Sequence, residues 1–212
     1  MAIATTIQEL ELQGGAACLD LVNSGIETLP EVTVERLHTY EDILVLIHRL
    51  GLLPRTTITR LRRLAAENPV QARTALKDIH AARKVMHAVF GAIATNSVRS
   101  LDAAMLEKFN NQTHHASGFR VFVRDKDVLL NRWDENRAGL QLAVYVFWQS
   151  ARDTLTEVDP AYIRKCAGCE WLFADSSKSH RRKWCNMQSC GSVQKSKRYY
   201  RKKTTPGGSD LR

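Results

Sequence analysis

Four of the five cysteines, Cys166, Cys169, Cys185 and Cys190, fall in a C-x2-C pair and a C-x4-C pair separated by fifteen residues. Four thiolates about 2.3 Å from one ion make a closed tetrahedral zinc site. In a reducing compartment such paired cysteines act as metal ligands rather than disulfides. Ala167-Gly168 suits the tight turn that presents the first two sulfurs, with Gly168 expected at positive φ. Four thiolates leave no open coordination position, so the reading is one structural Zn2+ per chain. Cys18 stands alone between Ala17 and Leu19 and reads as a packing residue.

A structural ion points to what it displays. The formal charge is +9, yet residues 1–160 hold 18 Lys/Arg against 19 Asp/Glu, a net of −1. Residues 161–212 hold 13 against 3, a net of +10, so the basic excess surrounds the cysteines. At 100° per residue, a final helix from about Ser189 to Lys203 aligns Lys195, Arg198 and Lys202, flanked by Lys197 and Arg201. Val193 and Tyr200 fall on its other side as an expected packing stripe. With Arg181, Arg182 and Lys183, this basic face is the candidate nucleic-acid surface.

The elements that must carry these residues read as follows. Tyr162–Lys165 and Trp171–Phe173 flank the first cysteine pair as the two strands of a zinc knuckle. Knuckle, hairpin, then helix is the order of a treble-clef-like zinc finger. Upstream, Ile7–Leu12 alternates as a short strand, and Ala16–Val22 reads as a short helix after Gly14-Gly15. Thr39 caps a helix over Tyr40–Leu50, and others run over about Thr57–Ala66 and from Asn68-Pro69 onward. The latter places Leu76, Ile79, Met86, Val89, Phe90 and Ile93 on one face. Ser100 is expected to cap a helix with Leu101, Met105 and Phe109 inside, followed by a polar loop, Asn110–Gly118. Phe119–Arg124 and Asp127–Trp133 read as a hairpin, and Asp134–Glu157 as one long apolar helix ending before Asp159-Pro160.

The fold class is therefore α+β: a mainly helical N-terminal domain with a small β-hairpin (1–158), a zinc finger (161–203) and a disordered tail (204–212). With 44% hydrophobic and 25% charged residues, the chain has a globular, not a disordered, composition. The longest apolar run, Leu142–Trp148, is far shorter than the roughly 20 residues of a membrane span. Met1–Glu11 has early glutamates and no apolar stretch, so neither membrane nor signal peptide is expected and the protein reads as cytoplasmic.

The run from Cys166 through Ser177, with Arg181–Met187 and Cys190-Gly191, resembles the CGNR-type zinc finger of bacteria. Gly14–Ser24 resembles the opening of the ABATE domain, which precedes that finger in a family of stress-induced transcription regulators. The resemblance implies a DNA-binding, nucleoid-associated regulator. Ser192-Val193 stands where the family motif has Asn-Arg, so a contact made by those two side chains would fall to Lys195 or Arg198.

An N-terminal active site is not legible. Asp20 and Asn23, three apart on one helix, could line a ligand pocket, although Asx residues at helix ends more often cap or hydrogen-bond. His80, His87, His114 and His115 lack a ligand set, and no phosphate loop or nucleophile elbow is present. The expectation is a non-enzymatic DNA-binding regulator whose N-terminal domain senses a small-molecule effector or forms a homodimer. The alternatives are an RNA-binding zinc finger, for which Tyr199 is the one candidate stacking aromatic, and an enzyme with an N-terminal pocket.

Overall fold

The computed structural model describes residues 5–25 and 34–204 and, within the last helix, the side chains of 192–197 and 199. A short helix, α1 (Ala17–Asn23), lies at the centre, with every residue from Cys18 to Asn23 buried. It packs on α4 (Pro69–Ala94) and on the helix Leu142–Glu157, while α2 (Tyr40–Arg49), α3 (Arg55–Glu67) and α5 (Ala103–Ser117) pack on α4 in turn. Then come the hairpin β1 (Arg120–Asp125) and β2 (Val128–Trp133), the short α6 (Glu135–Ala138) and α7 (Leu142–Glu157). The C-terminal module consists of β3 (Ile163–Lys165), β4 (Leu172–Ala174), a wide π-turn at Met187–Gly191, and α8 (Ser192–Thr204). No helix among the described residues is long and apolar enough to cross a membrane.

Local sequence explains most element ends. Thr39 accepts from Asp42 N while Asp42 receives the Thr39 N–H at 2.8 Å, a capping box that starts α2. Pro69 opens α4, where its missing N–H costs nothing. The α4 stripe buries Ile79, Met86, Val89 and Phe90, and Phe109 meets both Phe90 and Trp148 edge-on at 6.3 and 5.9 Å. Phe90 and Phe147 are fully buried, as expected.

Four expectations need correction. Ile7–Leu12 is not a strand: the Arg49 guanidinium takes the carbonyls of Ile7 and Leu10, in the place a partner strand would occupy. Asn110–Gly118 is not a loop: α5 is capped by Asp102, whose carboxylate accepts from Ala104 N at 2.8 Å, and runs to Ser117. Most of its polar residues face solvent, Met105 is exposed, and Phe109, Thr113 and Ala116 are buried. The long apolar helix is interrupted at Gly139, whose φ is +55°, so α7 starts only at Leu142. Finally, Val193 is 42% exposed and does not pack. Its expected stripe partner Tyr200 has a side chain outside the described residues, and so does the expected tail beyond Thr204.

The core is continuous from the helices into the C-terminal module: Ile163, Trp171, Leu172 and Phe173 are buried in the same cluster as Leu19, Met86 and Phe147. Two sheets are present among the described residues, β1–β2 and β3–β4, both antiparallel pairs.

Candidate metal centre and its attachment

The four cysteines converge. Their sulfurs all lie within 4.8 Å of one another. Cys169 and Cys185 sulfurs are 3.6 Å apart, and Cys185 and Cys190 are 3.7 Å apart. A tetrahedron with bonds of ~2.3 Å has edges of about 3.8 Å, so the donor set fits a closed four-thiolate site. Gly168 N and Cys185 N each donate to Cys166 Sγ at 3.3 Å, the pattern of a knuckle stabilising a thiolate. Hydrogen bonds from the Cys169 and Cys185 thiols push the Cys166 thiol down, and the same interaction raises Cys169 to about 12. Four crowded sulfurs cannot all ionise unaided; a dication bound among them would hold every one as a thiolate.

Gly168 favours the turn for a different reason from the one expected. It is not among the glycines at positive φ. Space is what it supplies, since a Cβ there would stand 3.1 Å from Cys190 Cβ. Cys190 sits in the Met187–Gly191 turn just ahead of α8 rather than within its first turn. Three ligands are buried and Cys190 is half-buried.

The loop between the cysteine pairs is organised by Asp175. Its buried carboxylate accepts from Ser177 N at 3.1 Å, Ser177 Oγ at 2.7 Å and Arg182 N at 2.9 Å. Burial opposes its ionisation, but these hydrogen bonds and nearby Arg164 prevail and hold its pKa below the usual carboxylate range. Tyr162 and His180 stack at 3.7 Å beside it.

Of the candidate nucleic-acid residues, Arg181, Lys183, Lys195 and Lys197 are exposed. Arg182 is turned inward: its guanidinium lies over the Phe173 ring at 4.7 Å and donates to Trp184 O and Cys185 O. That side chain braces the module instead of presenting charge. The side chains of Arg198, Arg201 and Lys202 lie outside the described residues.

The N-terminal pair proves to be part of the same arrangement. Asn23 Nδ2 donates to Leu172 O at 2.9 Å, and Leu172 N donates to Asn23 Oδ1 at 2.9 Å. One side-chain amide thus acts as an extra strand segment for β4, and the fully buried Asn23 does not line the cleft beside Asp20. Ala174 N donates to Gly14 O at 2.8 Å, and Gly14 N donates to Asp20 Oδ1 at 2.8 Å. Gly15, at φ +72°, could not carry a side chain here, because a Cβ would meet Ala174 O at 2.8 Å. Asn186 adds a hydrogen bond to Glu11 at 2.9 Å. Asp20 has a second aspect. It also lines a cleft of about 940 Å³ bounded by α1, α7 and the base of β1–β2, with Arg120, Trp133, Arg152 and Asp153. Burial raises its pKa to about 6 against the pull of the Gly14 N–H. Two of the N-terminal histidines are engaged elsewhere: His80 bonds Leu37 O, and His115 meets the Tyr145 hydroxyl.

Residues 15–158 match the model of the ABATE domain, described as "Putative stress-induced transcription regulator". The chain belongs to the ABATE family. Its C-terminal part, residues 162–203, matches the CGNR zinc finger, in the order that the resemblance implies. No curated protein matches the chain. In this ABATE protein Gly14, Gly15 and Asn23 form the seat on which β4 of the finger docks.

Proposed function

We propose that this ABATE protein is a cytoplasmic, DNA-binding transcription regulator rather than an enzyme. In this reading Cys166, Cys169, Cys185 and Cys190 hold one structural Zn2+ and the finger's cations grip the phosphate backbone. The observation that carries this reading is the separation of charge: exposed Arg181, Lys183, Lys195 and Lys197 crowd a module that an otherwise near-neutral chain holds in place. Each phosphate contact releases condensed counterion, so affinity falls steeply with salt. The division into 1–158 and 161–203 belongs to this proposal: the first part recognises an effector, the second meets DNA. The cleft beside Asp20 is the place for a small-molecule effector. Asp20 is tied through Gly14 to Ala174, and Asn23 to Leu172, so a ligand there pulls on the finger's own strand.

The test is binding to duplex DNA across a salt series. Changing Lys195, Arg198 and Lys202 together to Ala flattens the log–log salt slope by about two to three units, at roughly 0.9 per lost contact, with metal content unchanged. Binding as tight as the parent's, with the same slope, would make the basic face merely a solvated surface. Single-stranded RNA run in parallel separates the RNA-binding reading from this one.

A further inference from the structure

The hairpin β1–β2 takes no part in the metal site or its attachment, yet it is the most apolar exposed feature of the described surface. Phe122, Leu129 and Val128 are 74%, 69% and 54% exposed. The register sets Phe122 opposite Asn131 and Arg124 opposite Leu129, so Phe122 and Leu129 are diagonal neighbours on one face. Among the described residues no third strand pairs with either edge. A two-stranded ribbon of this kind is marginal in water, and an open edge is a template for another strand.

The two edges carry the same net charge but differ in how many charged residues they hold. β1 carries Arg120, Arg124 and Asp125, whereas β2 carries only Arg132. When a strand pairs antiparallel with its own copy about a two-fold axis, one residue meets itself and the others pair symmetrically around it. Centring β1 on Phe122 sets Arg120 against Arg124, and centring it on Arg124 sets that residue against itself. Centring β1 on Val123 aligns Arg120 with Lys126 at the turn. Centring β2 on Leu130 instead pairs Leu130 with Leu130, Leu129 with Asn131 and Val128 with Arg132, with no like charges opposed. Centring β2 on Asn131 would need Trp133 against Leu129, and the Trp133 ring is already covered by Arg120 at 4.8 Å.

We propose that β2 pairs antiparallel with β2 of a second copy of this chain, centred on Leu130, to form a four-stranded sheet in the order β1-β2-β2-β1. The two-fold axis keeps equivalent faces together, so Phe122 and Leu129 of both copies lie on one face of the sheet as diagonal neighbours. The inference is independent of what the finger binds, because it is read from mass without nucleic acid. Sedimentation velocity of the metal-loaded full chain over a concentration series should show the 24.0 kDa species giving way to one of twice that mass. Leu130→Asp, which sets two carboxylates at the axis, should remain monomeric with the parent's helical circular dichroism. Leu130→Cys should give a disulfide-linked dimer on a non-reducing gel, and Val123→Cys and the parent should not. A parent that stays at 24.0 kDa at every concentration overturns the proposal. So does a Leu130→Asp variant that still dimerises, or a dimeric parent whose Leu130→Cys form fails to cross-link.

Discussion

The molecule contains two antiparallel ribbons with opposite fates. β1–β2 pairs over six residues on each strand, and most of its side chains are exposed. β3–β4 pairs over only three, yet Ile163, Leu172, Phe173 and Ala174 are buried. Length therefore does not decide which ribbon is integral. The shorter one has a metal-ligand turn at its tip, the Asn23 amide along β4, and α4 beneath it. The longer one is held at its base, where Arg120 covers Trp133 and Asp134 N donates to Phe119 O at 2.8 Å. A ribbon is as stable as what it packs on.

Five substitutions test that contrast, and the largest effect belongs to the metal. Cys169→Ser, or removal of zinc by chelator, should unfold the β3–β4 module. Metal binding in isolated fingers contributes on the order of 10 kcal/mol to folding. Because the module shares a core with α1 and α4, the helical part should melt at a lower temperature while keeping its helical circular dichroism. A melting curve unchanged by chelator would show that the ion is not part of the fold.

Asn23→Ala comes next. It strands the buried N–H and C=O of Leu172, at roughly 1–3 kcal/mol for each unsatisfied group, for a loss of about 4 kcal/mol. Denaturant unfolding measures it. A loss below about 1 kcal/mol, no more than one ordinary hydrogen bond, would mean that water replaces the amide and the seat on α1 is dispensable.

Asp20→Asn is smaller and depends on pH. The folded carboxyl titrates near 6, above its ordinary 3.8, so the folded state binds the proton more tightly. That stability is present at low pH and disappears as pH rises from about 4 through about 6. Asparagine still accepts the Gly14 N–H but carries no charge. Relative to the parent, the variant should gain up to about 3 kcal/mol between acid and pH 8, because each tenfold difference in proton affinity is worth about 1.4 kcal/mol. Parallel stability–pH curves would place Asp20 in contact with water and remove the cleft-side argument.

At the small end, Phe122→Ser should change the stability of the monomer by no more than about 0.5 kcal/mol, the usual range for an exposed site. A large loss would mean that the β1–β2 face is covered within one chain. The corresponding change on the short ribbon, Phe173→Ser, should prevent its module from folding.

How much of this was legible in the residues follows from the range of each interaction. The cysteine spacing, the basic C-terminal excess and the capping of α2 are local patterns, and the structure brings the four sulfurs together as the spacing implies. The hairpin was equally local, with turn and alternation inside fourteen residues. Asn110–Gly118 misled because a polar run reads as a loop when only its inner positions, Thr113 and Ala116, show that it is a helix face. Arg182 looked like its neighbours Arg181 and Lys183, and only the ring of Phe173 and two carbonyls distinguish it.

Sequence alone determined that four cysteines are spaced to meet at one point and that positive charge gathers around them, because ligand spacing and charge are properties of short spans. It also determined which faces of the helices are apolar, because a 3.6-residue period needs no partner to be visible. Only the tertiary structure decided what Asp20 and Asn23 do. Their spacing fits a pocket, a cap or a clamp equally well, and the choice depends on Leu172 and Ala174, some 150 residues away in the chain. A buried amide is satisfied by whichever backbone reaches it first in space, and sequence distance carries no trace of that meeting.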